Sequence, residues 1–172
     1  MQFDVDGGAK CRIEVAASGR ILPVSKLQVA AMIIACPHCQ AKNRVKAERI
    51  DDQPTCGSCG RPLLAGKPVA LTDETFADMV AASRRPIVVD FWAAWCGPCR
   101  GFAPVFEQAA ARHPEWLFAK VDTDANPKLS QQLSIRSIPT LAVFRGAKVV
   151  QRVSGALPAA QFEQWLAAAA LG

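Results

Sequence analysis

The sequence predicts an α/β domain preceded by a small module that needs a metal or disulfides to fold. Patterns typical of strands and helices alternate from Val69 onward. The nearly continuous apolar run at 87–92 is typical of a strand buried on both faces. Six of the seven cysteines form Cys-x-x-Cys pairs. With 172 residues, 51% hydrophobic and 20% charged, the chain can hold one domain and an appendage, and its composition excludes a largely disordered protein.

The positive charge of the chain is concentrated in its cysteine-rich middle. The net charge is +5, and lysine and arginine outnumber aspartate and glutamate by 6 to 3 in residues 32–67 but only by 10 to 9 in residues 68–172. The charge is therefore no argument that the larger part binds nucleic acid. The apolar run at 29–35 is too short to span a membrane. Paired cysteines indicate metal ligands and a redox pair in a reducing compartment, so we expect a cytoplasmic protein.

Two of the cysteine pairs have the spacing of a zinc site. Cys36-x-x-Cys39 and Cys56-x-x-Cys59 are separated by sixteen residues, which fits two turns that supply four thiolates to one tetrahedral ion. Residues 32–67 hold too few large apolar side chains to fold unaided, so this segment needs a metal or a disulfide. We predict one structural Zn²⁺ bound by all four cysteines. The alternative, that Cys36-Pro37-His38-Cys39 is a redox centre, is disfavoured because no buried strand precedes it.

The first 31 residues carry no recognisable chemistry. Alternation of apolar and polar residues at 11–15 predicts a short strand, which 17–20 could turn. Met32 lies four residues before the first zinc ligand, so we interpret residues 1–31, with Cys11, as an extension outside the functional protein. Residues 32–67 are then a zinc ribbon, and residues 68–172 are the α/β domain, joined to it by a linker at 65–68.

The elements of the larger domain follow one another in the order βαβαβαββα, the first strand beginning at Val69. Hydrophobic periodicity, possible capping residues and turn signals predict their positions. The expected elements after that first strand are a helix from Thr72 or Asp73 to Ser83, a strand at 87–92, a helix from Cys96 to Arg112 containing Pro104, a strand at 117–121, a helix at 127–133, a hairpin of 140–144 and 148–153, and a helix at 158–171.

The third cysteine pair follows the buried strand directly and opens a helix. At a helix N-terminus, the unpaired N–H groups and the macrodipole favour the thiolate of Cys96. A thiolate is the species that attacks a disulfide. Cys99 lies one turn further along and can form a disulfide with Cys96. A metal-binding turn or a chance spacing would be the alternatives, but the preceding strand and the neighbouring Trp92 and Trp95 favour a redox pair.

Residues 69–172 resemble the thioredoxin family. The motifs occur in the family's order and spacing: Asp90-Phe91-Trp92-Ala93-Ala94-Trp95-Cys96-Gly97-Pro98-Cys99, Pro104, Lys120, Ile138-Pro139-Thr140 and Gly155. With the cysteine module in front, residues 32–172 are similar to the zinc-containing second thioredoxins of bacteria. The resemblance implies a thioredoxin fold, which is a mixed five-stranded sheet flanked by helices. It further implies a monomeric protein-disulfide reductase of disulfide-containing cytoplasmic proteins, without organic cofactor, that an NADPH-dependent thioredoxin reductase re-reduces.

The resemblance also implies roles for individual residues. Cys96 would be the nucleophile, Cys99 the resolving thiol, Asp90 the carboxylate that exchanges a proton with it, Lys120 the lysine near that carboxylate, and Pro139 a cis-proline beside the disulfide. The surface that docks substrate polypeptides would comprise Trp95, Gly97, Pro98, Ile138, Gly155 and Ala156. Simpler interpretations are that Asp90 is a structural acid, that Lys120 is a solvated surface lysine and that Pro139 is an ordinary turn proline. Three positions depart from the usual family pattern and make this surface more polar: Thr123, Ser137 and Ser154.

Two other functions are compatible with the cysteine module. Its basic residues could grip nucleic acid, with the larger domain as a scaffold, although the module lacks aromatic residues for base stacking. These basic residues are Lys42, Arg44, Lys46 and Arg49. Alternatively, the module could sense oxidation, because zinc thiolates can be oxidised and release their metal.

Overall fold

The computed structural model describes residues 31–170 and the backbone of two short strands that precede them. These strands, β1 (Glu14–Val15) and β2 (Ile21–Leu22), pair in an antiparallel manner with Glu14 opposite Leu22. The last two residues of the predicted strand at 11–15 therefore do lie in a strand. Our other predictions for residues 1–30, including those about Cys11, lie outside the described residues. Within the described ranges, no helix is both long enough and apolar enough to cross a bilayer.

The cysteine module is built on a β-hairpin. Strands β3 (Met32–Ala35) and β4 (Lys42–Val45) are antiparallel, and a 3-10 turn at Ala47–Arg49 follows them. Side chains alternate along β3, so that Met32 is buried while Ile33 is 52% exposed. One face of this hairpin is therefore apolar and must pack against something larger.

The larger domain is organised around a mixed five-stranded sheet, as predicted. Its strands are β5 (Val69–Ala70), β6 (Ile87–Trp92), β7 (Leu117–Asp122), β8 (Thr140–Arg145) and β9 (Lys148–Ser154). Their order across the sheet is β5-β7-β6-β8-β9. The first three in this order are parallel, and β8 and β9 are added antiparallel. The apolar run of β6 therefore lies at the centre, where both of its faces are covered.

Within residues 68–170, which the structure describes, four helices connect and cover these strands in the predicted order. They are α1 (Phe76–Ala82), α2 (Gly97–Arg112), α3 (Pro127–Gln132) and α4 (Ala159–Ala170). Helices α2 and α4 share one apolar cluster with residues of the central strands. Within it, the ring of Phe102 meets that of Phe162 edge to face, with centroids 5.1 Å apart. This packing fixes α2, and with it the cysteine pair at its N-terminus.

The beginning of α1 differs from the sequence prediction. Residues Thr72 to Thr75 form a turn, and the helix begins only at Phe76. Asp73 does not cap this helix; its carboxylate accepts a hydrogen bond from the backbone N–H of Leu129 at 2.8 Å. Leu129 lies in the first turn of α3, whose N–H groups have no helical partner. Asp73 therefore ties two neighbouring loops together instead of starting its own helix.

The cysteine module and the larger domain share one apolar core. Ile50, Leu63 and Leu64 of the module are buried in the same cluster as Val69 and Met79. The sequence predicted two segments joined by a linker at 65–68, but that linker does not separate two cores, because one cluster spans both segments. The physical reason is that the apolar face of the β3–β4 hairpin is too small to form its own core. Strand β3 contacts β5, and the 3-10 turn at Ala47–Arg49 contacts α1, so that the module is buried against the larger domain.

A cluster of charged groups joins the two parts beside this core. The carboxylate of Asp51 accepts hydrogen bonds from the backbone N–H and Nε of Arg84, at 3.0 and 3.2 Å, and from Nε of Arg85 at 3.4 Å. Arg85 also donates to the carbonyl oxygens of Ile50 and Leu64. The side chains of Asp51 and Arg85 are only 13% and 16% exposed, so their pairing is shielded from water.

Asp51→Asn should loosen this junction and lower the free energy of unfolding by about 2 kcal/mol, because Arg85 would keep a largely buried charge without its partner. Burial opposes ionisation of Asp51 and would raise its pKa. The backbone N–H of Arg84 and the guanidinium groups of Arg85 and Arg84 outweigh this effect and lower the pKa of Asp51 below its usual value. The contribution is therefore present above the ordinary carboxyl pKa of about 4 and is lost as the pH falls through the depressed value. Urea unfolding at pH 7 and pH 3 measures it.

Asp52→Asn is the matched control for this change. Asp52 pairs with Arg49, and both side chains are more than half exposed, at 54% and 65%. Its loss should cost less than about 0.5 kcal/mol. Equal effects of the two substitutions would show that the Asp51 junction contributes no more than an exposed ion pair.

Candidate active site and metal centre

Cys96 and Cys99 form a disulfide at the N-terminus of α2. Cys96 is the N-cap residue, and its Sγ accepts a hydrogen bond from the backbone N–H of Cys99 at 3.2 Å. Pro98 lies in the first helical turn, where a missing N–H costs no helical hydrogen bond. After reduction, the same N–H group and the helix dipole would stabilise a thiolate on Cys96.

The loop before β8 passes beside this disulfide. The carbonyl oxygen of Ile138 lies 3.8 Å from Sγ of Cys96, and the Ile138–Pro139 peptide bond is cis. The backbone N–H of Gly155 donates to the carbonyl oxygen of Pro139 at 2.8 Å, which brings the end of β9 to the same place. Three segments that are distant in sequence therefore meet at the sulfurs.

The residues expected to dock substrates are all exposed or partly exposed. Trp95, Gly97, Pro98 and Ala156 are exposed, and Ile138 and Gly155 are partly exposed. Trp95 is 67% exposed, and its indole Nε1 donates to Oδ2 of Asp124 at 2.8 Å. Sequence reasoning missed Asp124, because 29 residues separate it from Trp95 and only the pairing of β6 with β7 brings the following loops together.

Asp90 is fully buried in the centre of the sheet. In the described part of the chain, neither of its carboxylate oxygens has a hydrogen-bond partner. Lys120 lies directly opposite on β7, with its Nζ 3.9 Å from Oδ2 of Asp90. Burial raises the pKa of Asp90 to about 6, although the charge of Lys120 opposes this rise. A carboxyl group with this pKa can accept and return a proton near neutral pH.

Lys120 is not a solvated surface lysine. Its side chain is only 20% exposed, and its Nζ lies 4.6 Å from the ring centroid of Trp92. The ring holds the ammonium group between the aromatic face and the carboxylate of Asp90. The strand pairing that creates this arrangement places Asp90 opposite Lys120 and Trp92 opposite Asp122.

The four cysteines of the module converge on one point. Their sulfurs all lie within 4.8 Å of one another, and two of the pairs, Cys36 with Cys59 and Cys39 with Cys56, are both 3.7 Å apart. Sulfurs on a tetrahedron with Zn–S bonds of about 2.3 Å would be roughly 3.8 Å apart. The donor set therefore fits a tetrahedral ion, and a closed set of four ligands leaves no position for a reacting water.

Two similar turns hold these cysteines. The backbone N–H groups of His38 and Ser58 donate to Sγ of Cys36 and Cys56, each at 3.4 Å. The amide of Asn43, on β4, also donates to Sγ of Cys56, at 3.6 Å. Such donors stabilise sulfur ligands in their charged form. Asn43 was not foreseen, because a single asparagine on a short polar strand gives no signal in the sequence. The group of potential metal ligands in the described residues contains the four cysteines and not His38.

Comparison with known proteins agrees with this geometry. The family model described as Thioredoxin matches residues 67–168. The chain belongs to the thioredoxin family. A second model, described as Thioredoxin 2, N-terminal, matches residues 35–61 and names the cysteine module as a zinc ribbon. This thioredoxin is a thiol–disulfide oxidoreductase that cycles the Cys96–Cys99 pair between dithiol and disulfide.

Individual relatives cover different parts of the chain. Thioredoxin C-3 of Corynebacterium nephridii is 45% identical over 135 residues, which are 78% of this chain and 93% of that protein. The bifunctional thioredoxin reductase/thioredoxin of Mycobacterium leprae is 43% identical over 93 residues, which are 54% of this chain and 20% of that protein. The crystal structure of thioredoxin f from spinach chloroplast is similar with a TM-score of 0.57 and 34% identity, over 61% of this chain and 88% of that one.

Proposed function

We propose that this thioredoxin is a cytoplasmic protein-disulfide reductase that receives its electrons from an NADPH-dependent thioredoxin reductase. The observation that carries the proposal is the position of Cys96, at a helix N-terminus and 3.8 Å from the carbonyl oxygen of Ile138. The name of the Mycobacterium leprae relative, which joins a thioredoxin reductase to a thioredoxin, supports the partner. The four-thiol module supports a reducing compartment, because its cysteines must stay reduced to bind a metal.

In the first step, the thiolate of Cys96 attacks one sulfur of a substrate disulfide. A bond forms between that sulfur and Sγ of Cys96, the substrate disulfide breaks, and its other sulfur leaves as a thiolate. The substrate polypeptide docks on the exposed surface around the disulfide. This surface comprises Trp95, Gly97, Pro98, Ile138, Gly155 and Ala156, with Pro139 behind it.

In the second step, Cys99 resolves the mixed disulfide. Asp90 takes the proton of Cys99, directly or through a water molecule, and the resulting thiolate attacks Sγ of Cys96. The intermolecular bond breaks, and the second substrate sulfur leaves as a thiolate. Two electrons have then passed to the substrate, and Cys96 and Cys99 are joined in the disulfide described above. The reductase returns two electrons, and two protons restore the dithiol.

We further propose one structural Zn²⁺, held by Cys36, Cys39, Cys56 and Cys59. The fit of the four sulfurs to a tetrahedron supports it. When bound, the ion supplies folding free energy and no chemistry. We propose residues 32–67 as the zinc ribbon and residues 68–172 as the thioredoxin domain of a monomeric protein.

Reduction of insulin tests the proposed activity. The protein should precipitate insulin in the presence of dithiothreitol, and it should couple insulin reduction to NADPH consumption when a bacterial thioredoxin reductase is added. Insulin precipitation no faster than with dithiothreitol alone would contradict the reductase activity. Precipitation with dithiothreitol but no NADPH consumption would contradict the proposed partner alone.

Asp90→Asn should slow the second step more than the first, because asparagine keeps the size of the side chain and cannot accept the proton. Formation of the mixed disulfide should stay near the wild-type rate, and its resolution at pH 8 should slow by roughly tenfold or more. Rapid-quench trapping of the intermediate between pH 6 and pH 9 separates the two steps. Resolution at the wild-type rate throughout would leave Asp90 with a structural role.

The same variant should be more stable at alkaline pH. The pKa of Asp90 is raised to about 6, so ionisation penalises the folded protein as the pH rises above the ordinary value of about 4. Asp90→Asn should therefore gain about 2 to 3 kcal/mol at pH 8 and little at pH 4. Asp78→Asn is the matched control: burial also raises the pKa of Asp78, but it lies on α1 and should not affect the reaction.

A further inference from the structure

The loop that passes the disulfide is short and has fixed ends. It begins at Ser134, two residues after α3 ends at Gln132, and reaches Pro139 before β8 starts at Thr140. Ser134 adopts a left-handed backbone with φ of 52°, which non-glycine residues rarely do unless neighbouring groups hold them. The carbonyl oxygen of Ile138, near the other end, lies 3.8 Å from Sγ of Cys96. A displacement of the backbone at Ser134 would therefore also displace Ile138, because only three residues lie between them.

Strand β9 holds both ends of this loop. The guanidinium group of Arg152 donates from Nη1 to the carbonyl oxygen of Leu133, at 2.8 Å, and from Nη2 to that of Ser134, at 3.0 Å. Two and three residues later on the same segment, Ser154 shares a hydrogen bond with Thr140 at 3.1 Å, and the N–H of Gly155 donates to Pro139 at 2.8 Å. Arg152 thus fixes the start of the loop from the strand that also fixes its end.

The start of the loop needs such a partner. Helix α3 has six residues, and carbonyl groups at the end of a helix lack intrahelical donors. A guanidinium group can serve two carbonyl oxygens at once, and a positive charge is favourable at the C-terminal end of a helix. The bonds of Arg152 therefore serve the carbonyl groups of Leu133 and Ser134, the two residues that follow the helix.

We propose that Arg152 is a positioning residue for substrate docking: its two hydrogen bonds to the carbonyl oxygens of Leu133 and Ser134 set the position of the loop against which the substrate polypeptide binds. This inference rests on the proposed function. Arg152 acts through the loop and makes no contact with the reacting sulfurs in the described structure. Its loss should therefore weaken binding of a polypeptide without slowing attack on a small disulfide.

Arg145 offers a matched control on the same hairpin. Its Nη2 donates to the carbonyl oxygens of Ala169 and Ala170, both at 3.1 Å, at the end of α4. Like Arg152, it is an exposed arginine on an outer part of the β8–β9 hairpin that holds a helix C-terminus. The helix it holds does not lead into the loop beside the disulfide.

The test compares Arg152→Ala, Arg152→Lys and Arg145→Ala in the full chain. KM and kcat for insulin are measured with dithiothreitol as reductant, and the reduced proteins are also mixed with 5,5′-dithiobis(2-nitrobenzoate). We expect Arg152→Ala to raise KM about five- to tenfold, with kcat and the rate on the small disulfide within twofold of wild type. Arg152→Lys should raise KM less, because an ammonium group can still serve one carbonyl oxygen. Arg145→Ala should leave KM within twofold, whatever its effect on thermal unfolding.

An unchanged KM in Arg152→Ala would overturn the proposal, as would an equal rise of KM in Arg145→Ala, which would indicate a general effect of lost stability. An equal slowing on insulin and on the small disulfide would also overturn it, because the damage would then lie at the sulfurs. Failure of the wild-type protein to reduce insulin would contradict the proposed function itself, and this result is distinct from failure of the Arg152 variants in an active background.

Discussion

Cys96→Ser should abolish the reduction of protein disulfides, with a loss of more than about a thousandfold, because a serine hydroxyl cannot replace the thiolate that attacks the substrate. Cys99→Ser should behave differently. Its Cys96 can still attack, but without the resolving thiol the reaction should stop at the mixed disulfide. Mass spectrometry of the reaction with insulin should detect this adduct for Cys99→Ser and not for Cys96→Ser.

The contrast between the two variants tests the assignment of roles. If Cys99→Ser turned over normally, or if Cys96→Ser formed the adduct, the nucleophile and the resolving thiol would have been exchanged. Ala94→Ser is a suitable control, because it adds a hydroxyl group at an exposed position two residues before Cys96 and leaves both thiols in place. Its activity should stay within about twofold of wild type.

Removal of the metal should unfold the ribbon and also destabilise the thioredoxin domain. A structural zinc site contributes on the order of 10 kcal/mol to the folding of a small module. Ile50, Leu63 and Leu64 are buried in the same core as residues of β5 and α1, so an open ribbon would uncover both sides. We expect a chelator or Cys56→Ser to lower the free energy of unfolding of the whole chain by several kcal/mol, on the order of 5.

Denaturant unfolding followed by circular dichroism measures this loss, and a colorimetric chelator should count one zinc per chain. Ser58→Ala is the matched control in the same turn, because its backbone N–H still donates to Cys56 while the exposed hydroxyl group is lost. A chelated protein with an unchanged unfolding midpoint would contradict the shared core. A metal-free protein whose ribbon stays folded would contradict the zinc site.

Local signals made the redox pair and the cluster of four cysteines predictable from sequence. The apolar run of β6 and the cysteines that follow it are adjacent in the chain, so a single segment carries both the strand and the helix start. The four cysteines of the ribbon are recognisable from two fixed spacings, and their sulfurs do converge within 4.8 Å. The order of elements was likewise predictable, because the spacing of apolar residues along the sequence differs between strands and helices.

Contacts between distant segments were not predictable from such signals. Asp51 and Arg85 look like ordinary surface charges in the sequence, and only the packing of the ribbon on α1 buries them together. The reach of Arg152 to Leu133 depends on the register of β8 and β9, which is shifted by an irregularity between Val143 and Phe144. Asp73 is a residue type that often caps helices, but its carboxylate bonds to the first turn of α3 and not to that of α1.

The contact between β3 and β5 also has a consequence for aggregation. Strand β5 is the last strand on one side of the sheet, and an uncovered edge strand can pair with another chain through its free N–H and C=O groups. At the opposite edge, β9 carries exposed charges such as Lys148, which discourage such pairing. At β5 the ribbon takes this protective place, with the buried Met32 and Val69 in one cluster. Loss of the metal would therefore expose β5 as an uncovered edge strand, and the protein should then form insoluble aggregates in the cell.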